Sequence, residues 1–349
     1  MNELDRIVSA ARASIAAGEP SALATILGTR GSSFRRAGTR LWIGAEQRVG
    51  AISGGCLESD LAERAKEVTR FSRPALISYD SSADGDVLWG MASGCGGILQ
   101  ILLEPLTPSL LRDLEWIQEE LEERRTAVLL TAWDGERAAR FRGGSSGIDQ
   151  AQNALAERAL SSGKSITASD ASGGLTLAEA HIPPVALTVF GSGADARATS
   201  RLAGVLGWRV LLLASAPETE EALAKKSVLT DERSAALLMT HNFHRDAELL
   251  GTLGRTTTGY IGVLGPRRRT LDLLAMDGMP AAAARALHSP PGLDIGGETP
   301  DEIALSLLAE IQAHFAGRSG GKLRERSTPI HDREESVELP RHLVAEREP

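Results

Sequence analysis

Cysteine and long apolar runs are scarce in this chain of 349 residues, and each absence excludes a class of protein. Two cysteines cannot supply a disulfide framework or a four-thiolate zinc site, and their scarcity suits a reducing compartment, so we expect a cytoplasmic protein. No apolar stretch approaches the ~20 residues that a membrane span needs. Residues 1–6 mix charges where a signal peptide would have a basic start and an apolar run, so no export signal is predicted.

Excess positive charge and aromatic side chains are also missing. The net charge is −8, a sign that disfavours attraction to nucleic acid or to anionic membranes, so we expect neither as a partner. Aromatic residues make up 4% of the chain, whereas there are 36 glycines. This balance favours tight turns and close backbone approaches over an aromatic core, so we look for function in the glycine-rich turns.

The order of the apolar segments predicts two domains and a tail. Residues 1–184 mix helices and strands, which predicts an α+β domain with an extension after residue 105. Residues 185–316 alternate strand, helix and strand, the layout of a Rossmann-like doubly wound parallel sheet. Residues 317–349 are charged, poor in apolar residues and unperiodic, which is typical of a disordered tail. The predicted strands lie at 21–27, 40–43, 49–52, 75–79, 98–103, 127–132, 185–190, 208–214, 235–239 and 260–263.

The first glycine-rich turn joins two predicted strands at residues 28–38. Its glycines and serines could aim backbone N–H groups at an anion, and its two adjacent arginines could clamp a phosphate. The alternative is a solvated basic loop. The candidate binding residues of this turn are Gly31, Ser32, Ser33, Arg35 and Arg36.

The second turn leads from a strand into a helix and contains Cys56. A helix N-terminus lowers the pKa of a thiol, so Cys56 could act as a thiolate that binds a soft metal or carries a sulfur atom. The alternative is a small, buried hydrophobic side chain, and the same alternative applies to Cys95 in a third glycine-rich segment. The candidate residues are Ser53, Gly54, Gly55, Cys56 and Glu58 in the second turn, and Cys95, Gly96 and Gly97 in the third segment.

The second predicted domain opens with a dinucleotide-type fingerprint, Gly191-x-Gly193-x-x-Ala196, which follows a strand and begins a helix. An NAD-binding domain normally has an acid at the end of its second strand, and this chain has Ser215 there. NAD(P) binding, and with it an NAD(P)-dependent oxidoreductase, is therefore an alternative. Two histidines after a later strand, His241 and His244, could bind metal or act as acid and base, or be hydrogen-bonded loop residues. The basic turn 265–269 is a second possible anion site or a solvated turn.

Several of these stretches together resemble the XdhC/CoxI family, the xanthine dehydrogenase accessory factors that act in molybdenum-hydroxylase maturation. The resemblance extends over residues 21–314, nearly the whole chain outside its tail. The matching stretches, in the family's order, are GSSFRRAGTRLWI, GAISGGCLESDL, SGCGGILQILLEP, VFGSGADARATSRLAGVLGWRV, YIGVLGPRRRT and SPPGLDIGGETPDEIALSLLAEI.

The resemblance implies a family-specific N-terminal domain, a Rossmann-like C-terminal domain and a homodimer. It also implies a non-catalytic maturation factor that binds the molybdenum cofactor (molybdopterin), protects it during sulfuration and helps to insert it into a hydroxylase of the xanthine dehydrogenase or CO dehydrogenase type. The implied partners are the apo-hydroxylase and a cysteine desulfurase. Carried over by position, the cofactor would meet Arg35, Arg36 and the loops of Cys56 and Cys95. Two positions depart from the family pattern, because Ala194 stands where a histidine is usual and Ser215 where an acid is usual.

Overall fold

The computed structural model describes residues 2–31, 35–55, 57–80, 97–145, 147–169, 174–276, 278–281 and 283–327. The described chain forms two compact units, an N-terminal unit from Glu3 to Pro183 and a C-terminal unit from Pro184 onward that also takes in Asn2. The two units meet in the sequence at adjacent prolines. A proline has no N–H to donate to a strand ladder, so this dipeptide favours a break between two sheets.

The N-terminal unit contains two antiparallel sheets. In the described residues, sheet A has the strand order β3-β2-β1-β5-β4 and sheet B the order β7-β6-β9-β8. The helices are α1 (Glu3–Ala17), α2 (Glu58–Phe71), α3 (Pro108–Glu122) and α4 (Gln150–Ser162). The strands are β1 (Ala22–Gly31), β2 (Arg40–Ile43), β3 (Arg48–Gly50), β4 (Ala75–Asp80), β5 (Gly97–Pro105), β6 (Ala127–Trp133), β7 (Ala138–Arg142), β8 (Ile166–Ser169) and β9 (Leu175–His181).

The strand β1 is buried on both faces of sheet A, to which its side chains point alternately. Ala24 and Ile26 pack against α2 through Leu61. On the other face, Leu27 packs against sheet B through Trp133. The strand β1 therefore reads as a nearly continuous apolar run, as is typical of a strand covered on both sides.

The strand β1 is longer than the predicted strand at 21–27. On one side it pairs with β2 only as far as Thr25 and Arg40. On the other side it pairs with β5 until Gly31 lies opposite Gly97. Because Asp80 lies opposite Ile98, β4 ends at the same level. We name this end of the sheet, defined by Gly31, Asp80 and Gly97, the Gly31 edge.

The C-terminal unit is built on sheet C, whose described strands are all parallel in the order β11-β10-β12-β13-β14. Its strands are β10 (Ala186–Phe190), β11 (Arg209–Leu213), β12 (Ser234–Leu238), β13 (Tyr260–Val263) and β14 (Leu287–His288). Its helices are α5 (Ala194–Val205), α6 (Ala216–Ala224), α7 (Phe243–Leu253), α8 (Arg267–Leu274), α9 (Ala283–Ala286) and α10 (Pro300–Phe315). The predicted α/β class, with an α+β N-terminal part and a Rossmann-like parallel sheet, is confirmed.

The described part of the C-terminal unit ends with α10 and a short extension. The helix α10 begins at a capping box in which Thr299 and Glu302 each accept a backbone hydrogen bond from the other. Residues 317–327 include a short 3-10 helix, Leu323–Glu325, whereas the rest of the predicted tail, 328–349, lies outside the described residues. Within the described ranges, no helix combines the length and apolar character needed to cross a membrane.

The strand β5 lies between β1 and β4 in sheet A, so its buried side chains test the packing of the sheet. Ile101 is fully buried, so Ile101→Ala should lower the free energy of unfolding by about 2–5 kcal/mol, through lost burial and the cavity left behind. The control is Leu160→Ala on α4, where the side chain is 52% exposed and the expected change is within about 0.5 kcal/mol. Urea denaturation followed by circular dichroism measures both. Equal effects of the two substitutions would contradict the packing described for sheet A.

Candidate functional site

The turn at residues 52–58 is held closed by Glu58, the first residue of α2. One oxygen of its carboxylate, Oε1, accepts the backbone N–H groups of Ile52 at 3.2 Å and Ser53 at 2.8 Å, and Oε2 accepts the Ser53 hydroxyl at 2.5 Å. The Ser53 hydroxyl oxygen in turn accepts the N–H groups of Gly55 and Leu57. Burial acts to raise the pKa of Glu58, but the hydrogen bonds from Ser53 and the backbone outweigh it and the pKa is lowered. Both carboxylate oxygens thus shape the turn from within.

The outer side of this turn is bare backbone. Gly54 and Gly55 are exposed, and a Cβ added at either position would meet no atom of the described residues within 4 Å. Gly55 has φ +115°, a conformation that residues with a side chain rarely adopt. A ligand could therefore approach the main chain closely at these two residues. Cys56, the next residue and the predicted thiolate, lies outside the described residues.

A hydrogen bond between Tyr79 and Asp60 ties this turn to the Gly31 edge. Tyr79 lies on β4, one residue before Asp80, and its hydroxyl donates to Asp60 Oδ2 at 2.5 Å. Asp60 lies in the first turn of α2 and also accepts Arg64 Nε at 2.8 Å. Burial and the bond to Asp60 raise the pKa of Tyr79, so its hydroxyl stays protonated and donating. The N-terminus of α2 is thereby fixed at this end of sheet A.

Two of the three predicted glycine segments meet directly at this edge. Gly31 ends β1, Gly97 begins β5, and the two are register partners. The connection between Asp80 and Gly97 carries Cys95 and Gly96, which lie outside the described residues, as do Ser32 and Ser33 after Gly31.

The two arginines of the first turn lie on the other face of sheet A. After Gly31 the chain returns to β2, and the Gly38 N–H donates to the carbonyl of Ile26 at 2.8 Å. Ala37 packs with Leu27 and with Trp133 of sheet B. Arg35 is half-buried and Arg36 is exposed next to this contact. The structure therefore places the arginine segment beside sheet B and the turn 53–58 on the α2 face.

The fingerprint turn of the C-terminal unit follows β10 at the point where the strand order reverses. At Gly191, φ is +153° and an added Cβ would stand 2.5 Å from the carbonyl oxygen of Met239, so only glycine fits. Gly193 is the N-cap of α5, and His241 Nε2 lies 3.8 Å from the place of an added Cβ there. Open α/β sheets bind ligands at such a switch point.

A residue just after β11 caps a helix, and the nearby acidic side chain is already hydrogen-bonded to the backbone. Ser215 is the N-cap of α6 and accepts the N–H of Glu218 at 3.4 Å. The carboxylate of Glu218 accepts the N–H of Ala214 at 2.9 Å. An acid is thus present at this strand end, but it satisfies the backbone. The sequence reasoning missed Glu218, although the spacing Ser-x-x-Glu is the signature of a capping box.

A buried ion pair accounts for part of the basic turn at 265–269. Arg269 Nη1 donates to Asp246 Oδ2 at 2.7 Å, and Asp246, whose side chain is only 1% exposed, also accepts the Thr240 hydroxyl at 2.5 Å. Arg269 is therefore engaged in holding α8 against α7. Across the described part of the chain, no group of three or more His, Cys, Asp or Glu side chains is placed to hold a metal ion.

Comparison with known proteins gives the same family for both units. Residues 187–311 match the model of the XdhC Rossmann domain, and residues 14–80 match that of the XdhC and CoxI family. The chain belongs to the XdhC/CoxI family. This confirms the resemblance drawn from the glycine-rich stretches.

The relatives of this XdhC/CoxI protein extend over most of its length. A probable xanthine dehydrogenase subunit of Bacillus subtilis (strain 168) is 28% identical over 84% of this chain and 92% of its own. The molybdenum cofactor insertion chaperone PaoD of Escherichia coli (strain K12) is 25% identical over 84% of this chain and 83% of its own. A crystal structure described as a xanthine dehydrogenase from Bacillus halodurans matches with a TM-score of 0.71 and 26% identity, covering 92% of this chain and 98% of that one.

The role of Glu58 in closing the turn can be tested by Glu58→Gln. The amide places a donor among the N–H groups that the carboxylate accepts, so we expect a loss of about 1 kcal/mol, kept small by partial exposure. Since the folded-state pKa of Glu58 is lowered, its stabilisation is present above about pH 4.3 and is lost as the pH falls through the folded value. Unfolding free energies from pH 7 to pH 3 should therefore depend less on pH in the variant.

The matched control is Glu63→Gln on the same helix, where the carboxylate is 72% exposed and pairs only with Lys66 among the contacts described. This substitution should leave both the stability and its pH dependence close to those of the wild type. If Glu63→Gln and Glu58→Gln behave alike, Glu58 has no special part in the turn.

Proposed function

We propose that this protein binds the molybdenum cofactor and helps to insert it into the apo-form of a molybdenum hydroxylase, as a maturation factor that turns over no small substrate of its own. The observation that carries the proposal is the similarity to the insertion chaperone of Escherichia coli across 84% of this chain, which includes both units. The similarity to a probable xanthine dehydrogenase subunit points to a hydroxylase of that type as the partner.

The turn at residues 52–58, which Tyr79 and Asp60 tie to the Gly31 edge, supports this proposal because it suits an anionic cargo. The cofactor carries a phosphate on its pterin, and backbone N–H groups at a helix N-terminus favour negative charge. Gly54 and Gly55 leave the main chain open at the start of α2. In this proposal the turn holds the cargo and Glu58 keeps the turn in shape.

Two further parts of the proposal concern charge and sulfur. Arg35 and Arg36 meet the anionic cargo from the sheet B side, so in this proposal the cargo extends past the Gly31 edge from one face of sheet A to the other. Cys56, at the start of α2, supplies a thiolate whose sulfur lone pair can bind molybdenum while a cysteine desulfurase acts on the cofactor. A thiolate of this kind survives in a reducing compartment, so we place the protein in the cytoplasm and, as the family resemblance implies, as a homodimer.

The cargo can be tested by purifying the protein from cells that make the cofactor. We expect stoichiometric molybdenum by mass spectrometry and the fluorescence of oxidised pterin in the same fractions. Cys56→Ala should lose most of the molybdenum while keeping the far-ultraviolet circular dichroism of the wild type. Wild-type protein that carries neither molybdenum nor pterin, and takes up none on mixing with released cofactor, would refute the function. A Cys56→Ala protein with full molybdenum content would remove Cys56 from the site.

Substitutions at Gly54 and Gly55 distinguish an effect on cargo binding from an effect of backbone strain. Gly54→Ala and Gly55→Ala each add one methyl group to the same open backbone. Only Gly55 has a positive φ, so Gly55→Ala should cost about 1 kcal/mol of stability and Gly54→Ala close to none. Both should reduce the cofactor content, because the methyl group occupies the space in which the cargo approaches the main chain. Full cofactor content in Gly54→Ala would show that the cargo lies elsewhere.

A further inference from the structure

A pair of opposite charges is buried between sheets A and B. Arg40 begins β2, Glu179 lies on β9, and Arg40 Nη2 donates to Glu179 Oε2 at 2.5 Å. Their side chains are 6% and 0% exposed. Burial of this kind costs desolvation free energy at both charges, so the pair is weak evidence for stability and calls for another explanation.

The pair touches the segment that carries the two arginines. Arg40 Nη1 donates to the carbonyl oxygen of Gly38 at 3.4 Å. A Cβ added at Gly38 would stand 2.9 Å from Glu179 Oε1 and 3.3 Å from Ser165 Oγ, and φ at Gly38 is +89°. The backbone of Gly38 therefore packs so closely against the Glu179 carboxylate that a side chain at this position would collide with it.

Backbone hydrogen bonds carry this contact to Arg36. The Gly38 N–H donates to the carbonyl of Ile26, and the carbonyl of Thr39 accepts the Ile26 N–H at 2.9 Å. The N–H of Thr39 donates to the carbonyl of Arg36 at 3.2 Å. Residues 36–39 thus form one hydrogen-bonded turn. Glu179 and Arg40 contact this turn at Gly38.

A second buried pair in the same layer lacks this contact. Arg140 on β7 bonds to Glu104 on β5, with side chains 13% and 7% exposed. The two pairs are alike in charge and in burial between the sheets. They differ in that the contacts described for Glu104 do not reach residues 35–39.

We propose that Glu179 is a positioning residue for cargo binding: through Arg40 and Gly38 it fixes the segment 35–39 on sheet A and so sets where Arg35 and Arg36 meet an anionic cargo. Glu179 itself is buried and does not touch the cargo. The inference rests on the proposed function for its role in binding, whereas the fixing of the segment stands on geometry alone.

The fixing of the segment is tested by hydrogen exchange on Glu179→Gln, with Glu104→Gln as the matched control. The amide keeps the shape of the side chain but removes the charge that holds Arg40. We expect amide exchange in a peptide covering 35–39 to accelerate by about tenfold relative to a peptide from β5, the size that loss of one charged hydrogen bond predicts. Glu104→Gln should leave this ratio unchanged. Equal ratios in Glu179→Gln and the wild type would overturn the proposal.

The consequence for binding is measured by calorimetry with molybdenum cofactor released from a purified molybdoenzyme. Glu179→Gln and Arg36→Ala should each raise the Kd by about tenfold, and Glu104→Gln should raise it by less than about twofold. The positioning role is overturned if Glu179→Gln shows faster amide exchange in residues 35–39 with an unchanged Kd. It is also overturned if the Kd rises while the exchange stays unchanged. If wild-type protein binds no cofactor, the proposed function fails and the positioning role for its cargo fails with it, whereas the exchange ratio still decides whether Glu179 fixes the segment.

If Glu179→Gln does not fold, the contact between Glu179 and the segment 35–39 can be tested with Gly38→Ala. Gly38→Ala leaves both buried charges in place and pushes the segment away from the carboxylate, because its Cβ would stand 2.9 Å from Glu179 Oε1. The same rise in exchange and in Kd is expected, at wild-type circular dichroism. A Gly38→Ala protein that matches the wild type in both readouts would overturn the proposal.

Discussion

The unequal pairing of β1 with its two neighbours is the constraint on which the N-terminal unit depends. Its ladder with β5 continues to Gly31, whereas its ladder with β2 stops at Thr25. At about 3.3 Å per residue, the chain leaves β1 nearly 20 Å beyond the point where β2 begins and must return along the sheet. In the described part of this return, Gly38 and Thr39 bond to Ile26 at the edge of β1, and the Ala37 side chain joins the core between the sheets. The arginine segment thus contacts the sheet B side through Ala37, whereas Ile52 and Leu57 of the other turn pack with Leu61 on the α2 face.

The space between the sheets holds buried charged groups beside this apolar cluster. Arg40 and Glu179 meet there at 2.5 Å, and burial raises the pKa of Glu179 while the neighbouring arginines Arg40 and Arg140 oppose the shift. His181 lies on the same strand as Glu179, and burial, followed by the charge of Arg40, lowers its pKa to about 3, so it is neutral at physiological pH. A strand slipped by one residue would send these groups to the other face of sheet B. The buried charges therefore select one register, and the return path of the chain is fixed with it.

The sequence reveals most of the fold because local patterns carry it. The strand at 40–43 and the cap at Thr299 follow from short apolar runs and capping chemistry, and the structure has both. The strands β7 and β9 are not predicted from the sequence, since β7 alternates weakly and β9 places Glu179 and His181 at core positions. Arg140 on β7 and Glu179 on β9 are acceptable there because Glu104 and Arg40 of sheet A face them. That information lies in the tertiary pairing and not in the segment.

In the candidate site too, some features follow from the local sequence and others depend on tertiary pairing. The turns at Gly31, Gly55 and Gly97 are recognisable from the sequence, because glycine marks local backbone demands. The face on which each turn lies depends on register over distances of many residues, so the separation of Arg36 from Ser53 could not be predicted. Cys56 and Cys95, outside the described residues, stay predictions that rest on the family resemblance and on helix electrostatics.

The fingerprint of the C-terminal unit shows how a motif can persist for reasons of packing. Gly191 is required by the carbonyl of Met239, which stands 2.5 Å from the place of any Cβ, and this holds whether or not a nucleotide binds. The acid nearest to the end of β11, Glu218, is already bonded to Ala214. Gly191 is therefore explained by the close approach of β10 and β12, whereas an added Cβ at Gly193 would meet only His241 Nε2, at an ordinary contact distance of 3.8 Å. Because packing accounts for Gly191 and the acid at the end of β11 is engaged by the backbone, these two positions give no independent support for a dinucleotide, and the chemistry of this protein is better sought at the Gly31 edge.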